Sequence, residues 1–200
     1  HTDSDHYLTL FTDPLQDDFL RQGVTSIIGG QCGASLAPLL TGSLESIRKW
    51  ADTNAVNLGW RTIAEFISAL EKRKLGVNFG TLIGHGTIRR GFTGNAERDL
   101  TSRELGVFEH IIEESMRAGA LGLSTGLGYA HGRGVPYSEV KTLVKILGKT
   151  GGVYAPHLRN EENHVVAAVE EAITLARETS VPTIVRHYKP ARGYEDAYSE

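Results

Sequence analysis

Five side chains of the kinds that bind divalent cations are spaced through this sequence at intervals that would bring them together. His1 and Asp3 stand at its start, and Cys32 lies shortly after the apolar run Val24-Thr25-Ser26-Ile27-Ile28. His157 follows Tyr154-Ala155-Pro156, and His187 follows Ile184-Val185-Arg186. From His1 to Cys32, and again from His157 to His187, the step is about 30 positions, the length of one strand–helix unit. Imidazole, thiolate and carboxylate all suit zinc, and a bound cation lowers a thiol's pKa enough to ionise it. Each residue also has a plainer reading. A lone cysteine is often a small buried hydrophobe, and a histidine at a strand end can simply satisfy backbone carbonyls. Such residues falling at strand ends in register favour a shared cation. His85, in Gly84-His85-Gly86-Thr87 after another apolar run, is expected to face the same pocket, either as a cation ligand or, the favoured reading, as a support for the ligands or a substrate contact. His131 lies in the glycine-rich loop 126–132 and reads as a solvated or lid residue; His6, His110 and His164 fall in predicted helices and read as structural or solvated.

Positioning such a set requires strands whose ends open onto one face. Short β-branched runs read as buried parallel strands at 24–28, 77–83, 121–124, 152–155 and 182–186. Helical patterns lie between them. Ile63, Phe66, Ile67 and Leu70 form one apolar stripe over 63–74. Thr101-Ser102-Arg103-Glu104 has the form of a capping box before a helix carrying Leu105, Phe108, Ile111, Ile112 and Met116, stopped near Gly119. Ser138 is expected to cap a helix ending at Gly148, and residues 162–180 form the longest helical stretch, with Val165, Val166, Val169, Ile173 and Leu175. Strands alternating with helices imply right-handed βαβ units and a parallel sheet. No GxGxxG or GxxxxGK[ST] follows any strand, which disfavours a nucleotide-binding open sheet. The expected fold class is α/β, a partial (β/α)8 TIM barrel with its chemistry on the loops at the C-terminal strand ends. A complete barrel takes about 250 residues, so the 200 residues read as one incomplete domain, about strands 1–6, truncated at both ends. Residues 40–62 fit the alternation poorly and read as an extra helical insertion, with Trp50 and Trp60 as packing residues.

Composition narrows the partners. A formal net charge of −3 gives no electrostatic reason to expect nucleic acid or an anionic membrane. No apolar run reaches the roughly 20 residues of a membrane span. The single cysteine excludes an internal disulfide framework and fits the reducing cytoplasm. A small-molecule substrate is the partner expected.

Several stretches carry a family resemblance. They are His1-Thr2-Asp3-Ser4-Asp5, Gly30-Gln31-Cys32-Gly33-Ala34-Ser35, Leu82-Ile83-Gly84-His85-Gly86-Thr87, Gly119-Ala120-Leu121-Gly122-Leu123-Ser124-Thr125-Gly126, His157-Leu158-Arg159-Asn160-Glu161 and His187-Tyr188-Lys189. Together the sequence resembles the N-acyl-D-amino-acid deacylase (D-aminoacylase) branch of the metal-dependent amidohydrolases. The resemblance implies zinc-dependent hydrolysis of the amide of an N-acyl-D-amino acid, with Cys32, His157 and His187 holding one tightly bound zinc. The cysteine would replace the carboxylated lysine that other amidohydrolases carry after the fourth strand; Ser124-Thr125 stands there instead. A weaker second metal position in the family uses HxH after the first strand, where this chain has His1-Thr2-Asp3. Tyr129 and Lys189 match positions near the family's substrate site.

A metal-bearing amidase polarises the scissile carbonyl, and a carboxylate carries a proton from water to the leaving amine. In the family that carboxylate is an Asp after the eighth strand, expected downstream, so the segment alone is expected to be inactive. Two other readings stand beside this one. One is a hydantoinase-, dihydroorotase- or dipeptidase-like amidase of the same superfamily. The other is a non-catalytic paralogue that keeps the barrel as a binding module, for which Asp3 in place of His is the supporting feature.

Overall fold

The computed structural model describes residues 6–40, 52, 54, 58–189 and 191–198. Its five named strands are β1 (Ser26–Gly29), β2 (Asn78–Thr81), β3 (Ile83–Gly84), β4 (Gly122–Gly126) and β5 (Val153–His157). All pairings are parallel: β1 with β2, then β3 with β4 and β4 with β5. The two sheets run into one another, because Leu82 N–H donates to Gly29 C=O and Leu121 N–H to Thr81 C=O, each at 2.9 Å. Beyond β5 the pairing continues through single bridges from Tyr154 to Thr183 and from His157 to Arg186. Every segment therefore pairs with the next one in sequence. A doubly wound sheet reverses its order at a switch point; among the described residues there is no reversal. The fold is α/β with small parallel sheets.

The helices are α1 (His6–Thr12), α2 (Asp17–Leu20), α3 (Ile63–Glu71), α4 (His85–Thr93), α5 (Ser102–Arg117), α6 (Tyr137–Thr150) and α7 (Val165–Thr179), followed by a 3-10 turn at Glu195–Tyr198. Capping boxes start α3 (Thr62 with Glu65) and α5 (Thr101 with Glu104). Arg98 adds two hydrogen bonds to Glu104, at 2.6 and 2.8 Å, and with the Thr101 backbone holds that carboxyl down at about 2. The main core joins Phe66, Ile83, Phe108, Ile112, Leu123, Leu143, Val144 and Tyr154, and a smaller cluster of Leu158, Val165, Ala168 and Ala172 seats α7.

Several expectations need correction. Ser138 does not cap α6: the N-cap is Pro136, with no side-chain hydrogen bond, and Ser138 lies in the first turn. That helix passes Gly148 and stops at Gly151, which takes the left-handed conformation. In α7 the buried face is Val165, Ala168, Ala172 and Leu175, while Val166 and Ile173 are exposed. The segment 182–186 forms two bridges rather than a named strand. The predicted helix at 42–50, Trp50 included, lies outside the described residues. Trp60 packs as expected, stacked on Phe11 with its Nε1 donating to Leu36 C=O at 2.7 Å. Among the described residues no helix is long and apolar enough to cross a membrane.

Candidate metal centre

Cys32, His157 and His187 come from three widely separated parts of the chain, and their donor atoms all lie within 4.8 Å of one another. Cys32 sits in the turn after β1, 8% exposed, with φ of 55°. His157 is the last residue of β5 and is buried to the same degree. His187 follows the bridge residue Arg186 and also has positive φ, 51°. Left-handed backbone at residues bearing a Cβ is unfavourable and gathers where function demands it. Two of the three candidate ligands carry it. The Cys32 Sγ lies 2.9 Å from His187 Nε2, and the rings of His157 and His187 meet edge-on at 5.2 Å.

Around this trio the loops at the strand ends are tied together. Arg159 clamps Glu171 of α7 through two hydrogen bonds, at 2.9 and 2.7 Å, and reaches Arg133 C=O at 2.8 Å, joining the loops after β4 and β5. Asn160 Oδ1 accepts from the backbone N–H groups of Glu162 and His164 as the chain turns towards α7. Beneath, Thr125 Oγ1 and the Tyr154 hydroxyl are 2.8 Å apart, and burial pushes that phenol well above its ordinary range.

Tyr129 lays its ring 4.7 Å from that of His157 and stacks on His131 at 5.8 Å. Lys189 is exposed two positions beyond His187, its N–H donating to the His187 C=O at 2.7 Å. Glu161, the last residue of the His157-Leu158-Arg159-Asn160-Glu161 motif, comes close to His157. Its Oε2 lies 3.5 Å from His157 Nε2, and burial pushes its carboxyl up against the opposing pull of Lys189. The other carboxylate oxygen, Oε1, is buried without a hydrogen-bond partner.

His85 corrects an expectation. Strand β3 ends at Gly84 and α4 begins at His85 with no loop between. The ring enters the helical layer, 2% exposed, stacked on Phe108 at 5.4 Å with Nε2 2.8 Å from Glu139 Oε1. Those partners do not suit a substrate contact. His1 and Asp3 lie outside the described residues. His110 and His164 are exposed, in keeping with a solvated role. A cavity of about 680 Å³ adjoins His131, but none of the cation trio lines it.

With this geometry in view, the chain can be compared with known proteins. No family model matches it. D-aminoacylase from Alcaligenes xylosoxydans xylosoxydans is 33% identical over 189 residues, 94% of this chain and 38% of that protein. A solved D-aminoacylase with a binuclear metal centre superposes with a TM-score of 0.88 at 28% identity, over 98% of this chain and 40% of the other. Over nearly its whole length the chain is similar to D-aminoacylases. The same holds in the solved N-acyl-D-glutamate deacylase from Bordetella bronchiseptica, complexed with zinc and a phosphonate mimic of the tetrahedral intermediate: TM-score 0.85, 26% identity, 98% of this chain and 42% of that one. The chain thus spans about two-fifths of the length of these family members. The alternation of strands and helices, read from sequence as a parallel architecture, agrees with these likenesses.

Proposed function

We propose that this chain supplies the cation-binding part of a zinc-dependent hydrolase that cleaves the amide bond of N-acyl-D-amino acids, releasing a carboxylate and a D-amino acid. The observation that carries the reading is the convergence of one thiol and two imidazoles on a partly enclosed point at the strand ends. The donor set fits zinc: soft thiolate with imidazole is a combination that magnesium or calcium would not select. The sequential parallel pairing supports a further proposal, that these segments are about six strands of a (β/α)8 barrel in which such loops share one face. The likenesses to D-aminoacylase and to a zinc-containing N-acyl-D-glutamate deacylase support both.

When bound, zinc supplies Lewis-acid polarisation of the amide carbonyl and acidification of water. The residues of the chain do the rest of what is proposed here. Cys32 as thiolate and His157 and His187 as neutral imidazoles hold the cation. Tyr129, beside His157, and Lys189, beyond His187, hold the substrate, the ammonium by attracting its free carboxylate. His1 and Asp3 are assigned to a weaker second cation position. The polar residues Ser124 and Thr125 stand at the end of β4, so Cys32 is proposed to take the place of a bridging lysine carboxylate.

The test is made on the whole protein. Purified protein is expected to carry about one equivalent of tightly held zinc and to deacetylate N-acetyl-D-amino acids in preference to the L forms. Cys32→Ala and His187→Ala should each lower zinc content and reduce kcat/KM by at least about 100-fold, the scale of losing a ligand or its support. Undiminished activity in Cys32→Ala would overturn the reading.

A further inference from the structure

The turn that carries Cys32 is gripped on both sides by one hydroxyl. Ser124, wholly buried in β4, accepts a hydrogen bond from the Gly33 N–H at 3.0 Å and donates one to the Gly30 C=O. Gly30 and Gly33 bracket Gln31 and Cys32, so the hydroxyl closes the turn across its base.

Two more buried hydroxyls seat the same loop on its neighbours. Thr87 Oγ1 accepts from Ser35 N–H and Ser35 Oγ accepts from Gly84 N–H, both at 3.0 Å, while Thr87 N–H donates to Gly33 C=O at 3.1 Å. There is no slack against β4. A Cβ on Gly33 would stand 2.6 Å from the Gly126 nitrogen, and one on Gly126 would stand 2.4 Å from the Cys32 carbonyl oxygen. Inside this mould Cys32 holds its left-handed φ of 55° with Sγ 2.9 Å from His187 Nε2.

A residue with a Cβ keeps such a conformation only when its surroundings over-determine it. We propose that Ser124 is a positioning residue: it presets the Cys32 turn, so that the thiol meets the two imidazoles before any cation arrives. The proposal rests on Cys32 being a cation ligand, as argued above. Without the hydroxyl, the Gly30 C=O and Gly33 N–H lose their shared partner in buried surroundings. Unmet polar groups there favour a relaxed turn, which would swing the thiol away from His187.

Cadmium binding to the metal-free whole protein tests this, read by thiolate-to-cadmium charge-transfer absorption during competition with a chelator. Ser124→Ala is expected to weaken cadmium affinity about 10- to 100-fold, the range for supporting residues around metal ligands. Ile112→Val, on the buried face of α5, should lower the melting temperature yet leave the affinity unchanged, separating position from general stability. If Ser124→Ala does not fold, Ser124→Thr and Ser124→Val decide, since they share bulk and differ in the hydroxyl: tighter binding by the threonine variant supports the proposal, and equal binding overturns it. Full affinity in a folded Ser124→Ala protein overturns it as well. Absence of the absorption band from the unaltered protein would instead sink the ligand reading of Cys32, and this proposal with it.

Discussion

Glu139 accepts hydrogen bonds from two basic side chains inside the helical layer, His85 Nε2 at 2.8 Å and Arg89 Nε at 2.9 Å, and is itself 5% exposed. Burial alone would push its carboxyl up, but the hydrogen bonds and charges of His85 and Arg89 together outweigh that and hold it below the ordinary range. A carboxyl depressed by folding adds stability that is present above its unfolded pKa and lost as pH falls through the folded one. Glu139→Gln should therefore destabilise the protein by about 3 kcal/mol at neutral pH, the cost of stranding the buried Arg89 guanidinium. The difference from the unaltered protein should shrink in acid, as the native carboxyl takes up its proton. Denaturant unfolding at several pH values measures both, and a pH-independent difference would refute the assignment. His85 also marks a limit of the sequence reading. Its position after an apolar run was plain, but its direction depended on α4 starting without a loop, which left the ring among helices. For Cys32, His157 and His187 the strand-end positions pointed towards the convergence seen, because a parallel sheet brings successive strand ends to one side.

Apolar periodicity located α3, α5, α6 and α7 but not α2 or α4, and helix ends and inner faces were less legible. The Thr101–Glu104 capping box was readable because both partners are local in sequence. Helix α7 misled through chemistry: alanine gives a weak apolar signal, yet Ala168 and Ala172 lie on the buried face while the larger Val166 and Ile173 face out. Helix α6 offered two glycines three residues apart. Gly148 lies inside the helix, where a Cβ would come 3.3 Å from the Thr179 carbonyl oxygen. Gly151 is the true C-terminal glycine, with φ of 73° and open space around it. The two sites oppose helical propensity and backbone strain. Gly151→Ala should cost about 1 kcal/mol, since a left-handed alanine is strained. At Gly148→Ala a comparable gain in helix propensity offsets the close contact. Thermal unfolding of the two variants should rank Gly151→Ala as clearly the less stable; the reverse order would mean that the helix ends at Gly148.

At the scale of the molecule, the pairing pattern leaves two flanks. Among the described residues β1 pairs with β2 alone, and the segment at 183–186 pairs only with β5. Near the second flank Ile184 is 51% and Tyr188 59% exposed. Unpaired strand edges with apolar neighbours invite association between chains. The stretch matched here covers 38% of D-aminoacylase. In the barrel proposed above, further strands would pair at those flanks, and a proton-carrying carboxylate on one of them would reach the face that holds Cys32, His157 and His187. Residues 1–200 produced alone are therefore expected to bind a hydrophobic dye strongly, to lack a cooperative thermal transition and to show no saturable deacylase activity, while the whole protein has all the properties proposed for it. Sharp two-state unfolding and saturable amide hydrolysis by residues 1–200 alone would show instead that these flanks are stable as they stand and that the proton carrier lies among those residues, and Glu161, the half-buried carboxylate beside His157, would then be the first residue to substitute.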